Sequence, residues 1–407
     1  MSMPSSKPRP SSPGGLLQDD RFRNILWQTA FFAVIAFLLS VAAGNVVDSL
    51  TARGMLPSFS FLKLSSGIVV GEKLIEFESD SSNARAILVG LLNTLFITAL
   101  VIAASSFFGL FVVLCRISSN WLLSRLAKAY IEVIRNIPLL MLLLIWYRAF
   151  FLQMPGIKSA MMLGKSVSAD GSVSAALILS NRGLFLGWPV PTDSFPVYRY
   201  ILIGAAIIAA VIIAALSVRY RRTGKRSATP IWAILGFLAV AGTGLFSMRS
   251  DLPFRIELPH LTRFNATGGL YVSSEWFSLF SGLVLYTSAF VAEAFRAGIQ
   301  GVPKGQFEAA RALGFGRLRA LRLVVIPQAK IVAIPPLTSI FLGVAKNTSL
   351  GVAIGFPDLF SITGTIINQT GRALELIMIV MAIYLTISLG TSALMHVYNK
   401  RVQLIER

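Results

Sequence analysis

The chain has 407 residues, of which 55% are hydrophobic and only 14% are charged. Soluble domains carry about 25% charged residues, so this composition excludes an ordinary soluble protein. The formal net charge of +19 could indicate nucleic-acid binding, but no basic tract is interleaved with the aromatic side chains on which bases stack. With one cysteine and only two histidines, which are far apart, we expect neither an internal disulfide nor a metal site.

Eight apolar runs dominate the sequence. A helix needs roughly 20 apolar residues to cross a bilayer, and a lipid-exposed backbone must satisfy its own hydrogen bonds. We therefore predict an all-α polytopic membrane protein with about eight transmembrane helices. The predicted spans cover residues 25–47, 86–114, 129–151, 200–218, 231–248, 276–295, 331–345 and 373–398. The seventh contains Pro335 and Pro336, which interrupt it and are tolerated in membrane helices where neighbours or water satisfy the freed carbonyl.

The N-terminal residues 1–24 are rich in Ser and Pro near their start, which is typical of a disordered tail. The first apolar run follows Arg21 and Arg23. A cleaved signal peptide is the alternative, but its apolar region is normally about 7–15 residues long, and this run is longer. We expect a retained helix, followed by a periplasmic loop that extends to residue 85.

Basic residues mark one side of the membrane. If the first tail is cytoplasmic, every short basic loop falls on the same side, as the positive-inside rule requires. The loop after the second span holds Arg116, Arg125 and Lys128, and further basic clusters follow the fourth, sixth and eighth spans. We therefore predict a multi-pass protein of a bacterial inner membrane with both termini in the cytoplasm, ending in a short tail over residues 401–407.

The loop after the sixth predicted span contains signals for a short helix. Pro303 suits the first turn, where its missing N–H costs nothing, and Gly314 suits the left-handed position just beyond a helix end. Residues 305–313 are therefore expected to be helical, with Ala309 and Ala310 forming a smooth face that another surface can approach. A second basic helix, 317–323, should precede the membrane re-entry at Pro327. On these signals alone, an ordinary basic loop on the membrane surface remains an alternative.

The same loop resembles the EAA loop of ABC importer permeases, whose pattern is Glu-Ala-Ala, three residues, Gly, nine residues and Ile-x-Leu-Pro. Here the pattern reads Glu308-Ala309-Ala310, then Gly314, then Val324, Ile326 and Pro327, with two conservative aliphatic exchanges. The flanking motifs resemble the polar amino acid permeases. They are Arg135-Asn136-Ile137-Pro138-Leu139-Leu140, Glu293-x-x-Arg296-x-Gly298, Pro303-Lys304-Gly305-Gln306, Pro327-Gln328-Ala329, Pro335-Pro336 and Lys346-Asn347-Thr348-Ser349-Leu350.

This resemblance implies a type I permease core of five helices, divided between residues 86–151 and 276–400, with the EAA loop between core helices three and four. The extra first helix with its loop (25–85) and the insertion 152–275, which contains periplasmic loops and two further spans, depart from the minimal pattern. A long permease of this layout is similar to one subunit of the general L-amino acid transporters.

The implied function is that of a permease subunit in an ATP-driven importer, which moves L-amino acids from periplasm to cytoplasm by alternating access. The chain has no G-x-x-x-x-G-K-[ST] motif, so it lacks the P-loop that cradles ATP phosphates. We expect no enzyme activity and no bound cofactor in this chain, with ATP and Mg held by a partner ATPase. The other implied partners are the lipid bilayer, a periplasmic amino-acid-binding protein and a second permease, for which a paralogue is favoured over an identical copy.

Two sets of candidate residues follow. The resemblance assigns contact with the cytoplasmic ATPase dimer to Gly305, Glu308, Ala309, Ala310, Gly314 and Pro327. Polar residues at membrane depth usually face a cavity or the bundle interior, which predicts a substrate pathway at Asn93, Arg135, Asn136, Thr287, Ser288, Asn347, Thr348 and Ser349. The alternatives are hydrogen bonds between helices for the Ser and Thr residues and snorkelling to the interface for Arg135. Glu293 and Arg296 are expected to form a structural pair on one helix face.

Besides a structural or signalling membrane protein with no transport role, two rival transport functions remain open. A permease for another small solute, such as a peptide, a sugar or a metal, would share the EAA pattern, and only the flanking motifs favour amino acids. An ion-driven secondary transporter is the other rival, but it would not need a loop that docks on an ATPase.

Overall fold

The computed structural model describes residues 20–52, 58–167, 173–223, 229–262 and 265–402. Of the tails predicted at 1–24 and 401–407, residues 20–24 and 401–402 are helical, and the rest lie outside the described residues. Within the described ranges, six helices are long and apolar enough to cross a membrane, and a bent pair makes a seventh candidate. The shorter apolar helix Ile231–Ser247 accounts for the remaining predicted run. The helical membrane fold class is confirmed, and the number of crossings is close to the predicted eight.

The described residues form twelve α-helices. They are α1 Asp20–Ala52, α2 Asn83–Arg116, α3 Trp121–Asn136, α4 Leu139–Ile145, α5 Phe195–Thr223, α6 Thr229–Ser247, α7 Ser274–Gln300, α8 Lys304–Ala312, α9 Arg317–Ala320, α10 Ile326–Asn347, α11 Leu359–Thr370 and α12 Ala373–Val402. A π-helical segment, Trp146–Phe151, extends α4, and a 3-10 segment, Thr348–Ile354, follows α10. Helix α11 was not predicted from the sequence.

The third predicted span is not one helix. Helix α3 and the α4 segment meet at an angle of 106°. Pro138 causes the break, because a proline pushes the preceding residue into extended backbone, and Ile137 has φ −90° and ψ 127°. The single span predicted for residues 129–151 is therefore wrong in its first half, where α3 turns away from the axis of α4.

The core packs α2 against α7, with α10, α11 and α12 around them. Ile97 and Val101 of α2 and Leu279 and Leu283 of α7 are fully buried in one apolar cluster. The two helices approach closely at Gly109, where an added Cβ would lie 2.6 Å from Cγ1 of Val291. Small residues at such crossings are the usual device of membrane helix packing.

Helix α10 continues from α9 through a π-helical segment, Leu321–Val325, so that the helical backbone runs unbroken from Arg317 to Asn347. The predicted interruption at Pro335 and Pro336 is absent, since both prolines lie inside α10. Pro327 lies immediately after the π-helical segment. A proline has no N–H to donate to the regular backbone hydrogen-bond pattern. The wider π-helical turn just before Pro327 accommodates this missing bond, so the helix continues without a break.

The described part of the insertion contains ten short strands as well as α5 and α6. The strands are β1 Met161–Leu163, β2 Ser166–Val167, β3 Val173–Ser174, β4 Leu177–Ser180, β5 Gly183–Leu186, β6 Trp188–Pro191, β7 Phe254–Glu257, β8 His260–Leu261, β9 Ala266–Thr267 and β10 Leu270–Ser273. They form antiparallel sheets in the orders β1-β4-β5-β10, β2-β3-β8-β9 and β6-β7. Strand β10 leads directly into α7, which joins this subdomain to the core.

Candidate functional site

Helix α8 is a short helix with well-defined ends. Pro303 occupies the N-cap position. At the other end Gly314 has φ +79°, its N–H donates to Arg311 O (2.8 Å), and the Phe315 N–H donates to Ala310 O (3.0 Å). These two bonds are the Schellman motif, which a glycine in left-handed backbone closes without a Cβ clash. The helix predicted for 305–313 is confirmed, and so is the prediction that Gly314 has left-handed backbone just beyond its end.

The predicted contact residues do not all lie on one side of α8. Gly305, Glu308 and Ala309 are exposed, whereas Ala310 is 3% exposed and faces the rest of the chain. Adjacent helical positions point in different directions, so the two alanines cannot share one docking surface. The prediction of a smooth face made by both alanines is wrong for Ala310. The exposed face of α8 is defined by Gly305, Glu308 and Ala309.

A groove of about 560 Å³ separates α8 from the beginning of the helical run that becomes α10. Phe307 lies on the α8 side of this groove, and Leu321 and Val325 lie on the other. Gln328 Nε2 donates to Gln306 Oε1 (3.2 Å), which ties the two walls together. The groove is lined by Ile299, Gln300, Val302, Pro303, Lys304, Phe307, Glu308, Arg311, Leu321 and Val325.

Helix α8 is attached to α10 through α7. At Gly298, two residues before the end of α7, an added Cβ would lie 2.6 Å from the carbonyl oxygen of Ala329 and 2.9 Å from the Cβ of Ala333. Such close backbone contact leaves little freedom for α7 to slide on α10. The end of α7 that leads into α8 is therefore packed tightly against α10.

Four of the predicted pathway residues are buried, and three of them make hydrogen bonds. Asn93 Nδ2 donates to the carbonyl oxygens of Glu72 (2.8 Å) and Pro357 (2.9 Å). The Ser288 hydroxyl lies 2.8 Å from the Tyr130 hydroxyl, which joins α7 to α3. Thr287 is also buried within the core, and Thr348 Oγ1 donates to Ala345 O (2.8 Å). For Ser288, the alternative of a hydrogen bond between helices is confirmed.

The other four pathway candidates are partly or fully exposed. Arg135 lies 3.9 Å from Glu293 through Nη1 and Oε1, and its guanidinium is 5.2 Å from the Phe290 ring centroid. Asn136 donates to Glu132 O of its own helix (2.7 Å). Asn347 and Ser349 lie at the junction of α10 with the 3-10 segment. The eight candidates are thus distributed over several parts of the bundle and do not converge on one pocket.

The predicted pair of Glu293 and Arg296 is confirmed. Arg296 Nε donates to Glu293 Oε2 (2.9 Å), and Nη2 of the same guanidinium bonds the other carboxylate oxygen. Arg296 Nη1 also donates to Gln300 Oε1. This network lies on the last turns of α7, next to the loop that leads into α8.

Sequence reasoning missed a second polar cluster, around Asp358. This fully buried aspartate caps α11, because its Oδ1 accepts from the Ser361 N–H (2.8 Å). The Tyr384 hydroxyl donates to Oδ2 (3.4 Å), and the Thr94 hydroxyl accepts from the next backbone N–H, that of Leu359 (3.1 Å). The Pro357-Asp358 pair followed by an apolar stretch is a helix start signal that could have identified both the cap and α11.

The chain matches a known family over most of its length. The family described as "Binding-protein-dependent transport system inner membrane component" matches residues 105–404. The General L-amino acid transport system permease protein AapQ of Rhizobium johnstonii is 36% identical over 96% of this chain and 95% of its own length.

Two further relatives also align from end to end. The Glutamate/glutamine/aspartate/asparagine transport system permease protein BztB of Rhodobacter capsulatus is 35% identical over 96% of both chains. YhdX of Escherichia coli (strain K12) is 39% identical over 94% of this chain and 95% of its own length. The chain therefore belongs to the inner-membrane permease components of binding-protein-dependent ABC transport systems.

Proposed function

We propose that this chain is the permease subunit of an ATP-driven importer of L-amino acids, and that α8 is the element through which a cytoplasmic ATPase drives it. The substrate class is supported by the relatives AapQ and BztB, whose names specify L-amino acids and the acidic amino acids with their amides. The coupling role is supported by the exposed face of α8, Gly305, Glu308 and Ala309, on a capped helix that packs against α9 and the π-helical segment Leu321–Val325.

The mechanism follows from the position of α8 between two long helices. Closure of the ATPase dimer on ATP would displace α8, and the Gly298 contact would pass the displacement to α7 and α10 together. Rigid helices then rock, which opens the pathway alternately to each side of the membrane. ATP and Mg belong to the ATPase in this scheme, and a periplasmic binding protein delivers the amino acid.

The substrate pathway is proposed at the end of α10. The backbone changes there from α-helix to a 3-10 segment at Thr348 and turns at Gly355, which has φ +86°. Broken helices supply free backbone groups for binding polar substrates within a membrane. Among the predicted residues at this junction, Asn347 and Ser349 are better placed to meet a solute than Thr348, because they are partly exposed whereas Thr348 is buried.

The second permease would cover the exposed face of α10. Val332, Pro336, Ser339 and Lys346 lie along this face and are exposed. A lysine that faces acyl chains is costly, so Lys346 is better placed at a subunit interface or a water-filled pathway than against lipid.

Substitution of Gly305 by leucine tests the coupling role. Nothing in this chain lies within 4 Å of a Cβ at Gly305, and leucine has a higher helix propensity than glycine. Gly305→Leu should therefore preserve α8 while blocking the close approach of a partner. We expect at least a tenfold loss of amino-acid uptake and of binding-protein-stimulated ATP hydrolysis by the reconstituted complex, with a similar loss for Glu308→Lys.

Gly71→Leu is the matched control, because Gly71 is also exposed with nothing within 4 Å of its Cβ but belongs to the loop before α2. It should transport normally. Normal uptake by Gly305→Leu would contradict the coupling role. If the wild-type complex takes up none of a panel of radiolabelled amino acids but transports a solute of another class, the proposed substrate is contradicted. The coupling role would not be affected by that result.

A further inference from the structure

Helix α3 has three distinct faces. Ala127 and Ile131 are buried against α2 and α7, and the Tyr130 hydroxyl donates to Leu285 O of α7 (2.7 Å). A second face is apolar and exposed, and it comprises Leu122, Leu126, Ala129 and Val133. A third face carries Arg125, Lys128, Glu132 and Arg135. A soluble helix would not expose an apolar stripe of this length, so the second face requires a partner.

The angle of α3 identifies that partner as lipid. Because α3 makes an angle of 106° with the α4 segment, it lies close to the membrane plane when α4 is aligned with the membrane normal. Helices that combine an apolar face, a basic face and an interfacial tryptophan lie within the headgroup region of a bilayer. Trp121, at the first position of α3, is 70% exposed, which fits this placement.

Three cations, one at the end of α2 and two on α3, surround a pocket of about 370 Å³. Arg116, Arg125 and Lys128 line it together with Ser118, Ser119, Trp121 and Ser124, and these seven lining residues include no carboxylate. Arg116 Nη1 donates to Ser124 Oγ (3.1 Å), and the same hydroxyl donates to Arg116 O (2.9 Å). The guanidinium of Arg125 lies 5.8 Å from the Trp121 ring centroid. The two guanidinium groups are thus held in defined positions beside the pocket, and Lys128 Nζ lies 3.4 Å from Oε1 of Glu132, an exposed carboxylate on the next turn of α3.

We propose that this pocket, defined by Arg116, Arg125 and Lys128, binds the phosphate headgroup of an anionic phospholipid. Arginine and lysine with neighbouring hydroxyl groups supply the charge and the donors that a phosphodiester needs, and basic pockets between membrane helices recognise anionic headgroups. The acyl chains would extend along Leu122 and Leu126, with the Trp121 indole at headgroup level. A free phosphate ion would use the same cations but would leave this apolar face uncovered.

The bound lipid would also affect the transport cycle. It would hold α3 at the membrane surface, and α3 is bonded to α7 through Tyr130, with α7 leading to α8. Anionic lipid should therefore raise substrate-stimulated ATP hydrolysis. This consequence rests on the proposed coupling role of α8, whereas lipid binding itself does not depend on it.

The test measures binding of phosphatidylglycerol to the purified transporter complex by native mass spectrometry, with phosphatidylcholine as the zwitterionic comparison. Each basic residue near an anionic surface contributes about a fivefold factor. The double variant Arg125→Gln, Lys128→Gln should therefore bind phosphatidylglycerol roughly 30-fold more weakly than the wild type. The double variant Arg125→Lys, Lys128→Arg keeps both charges and should retain binding, which separates loss of charge from misfolding.

The matched control removes two exposed charges from α10 and α12, Lys330→Gln and Lys400→Gln. It should leave phosphatidylglycerol binding unchanged. Equal weakening in both glutamine variants would mean a diffuse charge effect and would overturn the site. Equal binding of phosphatidylcholine, displacement of the lipid by an equal concentration of inorganic phosphate, or cross-linking of position 125 to the ATPase would also overturn it.

The lipid site and the coupling role can fail separately. If the Arg125→Gln, Lys128→Gln variant loses lipid while ATP hydrolysis is unchanged, the site stands and its regulatory consequence is contradicted. If Gly305→Leu transports normally while lipid binding behaves as expected, only the coupling role is contradicted.

Discussion

Nη1 of Arg135 in α3 lies 3.9 Å from Oε1 of Glu293 in α7, and the same carboxylate is held by Arg296 one turn further along α7. One acidic side chain thus joins two arginines from two helices. The pocket beside it, about 200 Å³ in volume, is lined by four cations, Arg116, Lys128, Arg135 and Arg296, and by only two carboxylates, those of Glu132 and Glu293. Glu293 therefore offsets part of the repulsion between these cations, which opposes the packing of α3 against α7.

Glu293→Gln should destabilise the folded protein more than Arg135→Gln. The first change removes the partner of a partly buried arginine, which typically costs about 1–3 kcal/mol. The second removes a long contact from a side chain that is 41% exposed, and such pairs are worth about 0–1 kcal/mol. Thermal unfolding in detergent, measured at two salt concentrations, checks the order. A larger loss for Arg135→Gln would contradict it.

Asn93→Ala should be among the most damaging polar substitutions in the described core. Its amide donates to the carbonyl oxygens of Glu72 and Pro357, and two hydrogen bonds of this kind contribute about 1–3 kcal/mol in total. Asn136→Ala is the comparison, because Asn136 is exposed and bonds only its own helix, and it should cost less than about 0.5 kcal/mol. Equal thermal midpoints for the two variants would rule out the structural role of Asn93.

Gly314→Ala should weaken the end of α8, because Gly314 has φ +79° and left-handed backbone costs an alanine about 1 kcal/mol. Hydrogen exchange of the α8 amides should accelerate roughly fivefold, which corresponds to that energy. Gly316→Ala is the control two residues away, where nothing lies within 4 Å of an added Cβ and the backbone is not left-handed. Unchanged exchange in Gly314→Ala would contradict the Schellman assignment.

The apolar runs predicted the membrane helices well because each run carries its own signal in consecutive residues. The break in the third run is caused by Pro138. Because the residues on both sides of Pro138 are apolar, the run was interpreted as one straight span, and the bend between α3 and α4 was not predicted. Helix α11 was missed because its residues include Gly364, Asn368 and Gln369, which lower the apolar character of the segment, and only the Asp358 cap marks its start.

The strands of the insertion could not be predicted from local pattern. Each has two to four residues, which is too short for an alternation of apolar and polar residues to be recognised. Their pairing is also non-local, since β5 (Gly183–Leu186) pairs with β10 (Leu270–Ser273) across the α5–α6 hairpin. The orientation of Ala310 was missed because the sequence of α8 alone does not show which of its faces packs against α9 and the π-helical segment Leu321–Val325.

The stability of the folded protein should depend on pH through the carboxyl group of Glu72. Burial raises the pKa of its carboxyl group, and the negative charge of Glu275 raises this pKa further, while a hydrogen bond from Ser273 offsets part of the effect. A raised pKa in the folded state means that the charged form is penalised only after folding. The protonated form of Glu72 therefore favours the folded state. This favourable contribution to the free energy of unfolding is complete at pH values below the pKa of the unfolded state and is lost as the pH rises through the pKa of the folded state.

Glu72→Gln should accordingly raise the thermal midpoint at pH 8 and leave it nearly unchanged at pH 4, since glutamine is a neutral analogue of the protonated side chain and can still accept the Ser273 hydrogen bond. Thermal unfolding of the detergent-purified complex at the two pH values measures this. In a Glu275→Gln background the gain at pH 8 should shrink, because one source of the raised pKa is gone. A lower midpoint for Glu72→Gln at pH 8 would show that the ionised carboxylate stabilises the fold, which is the opposite of the expected sign.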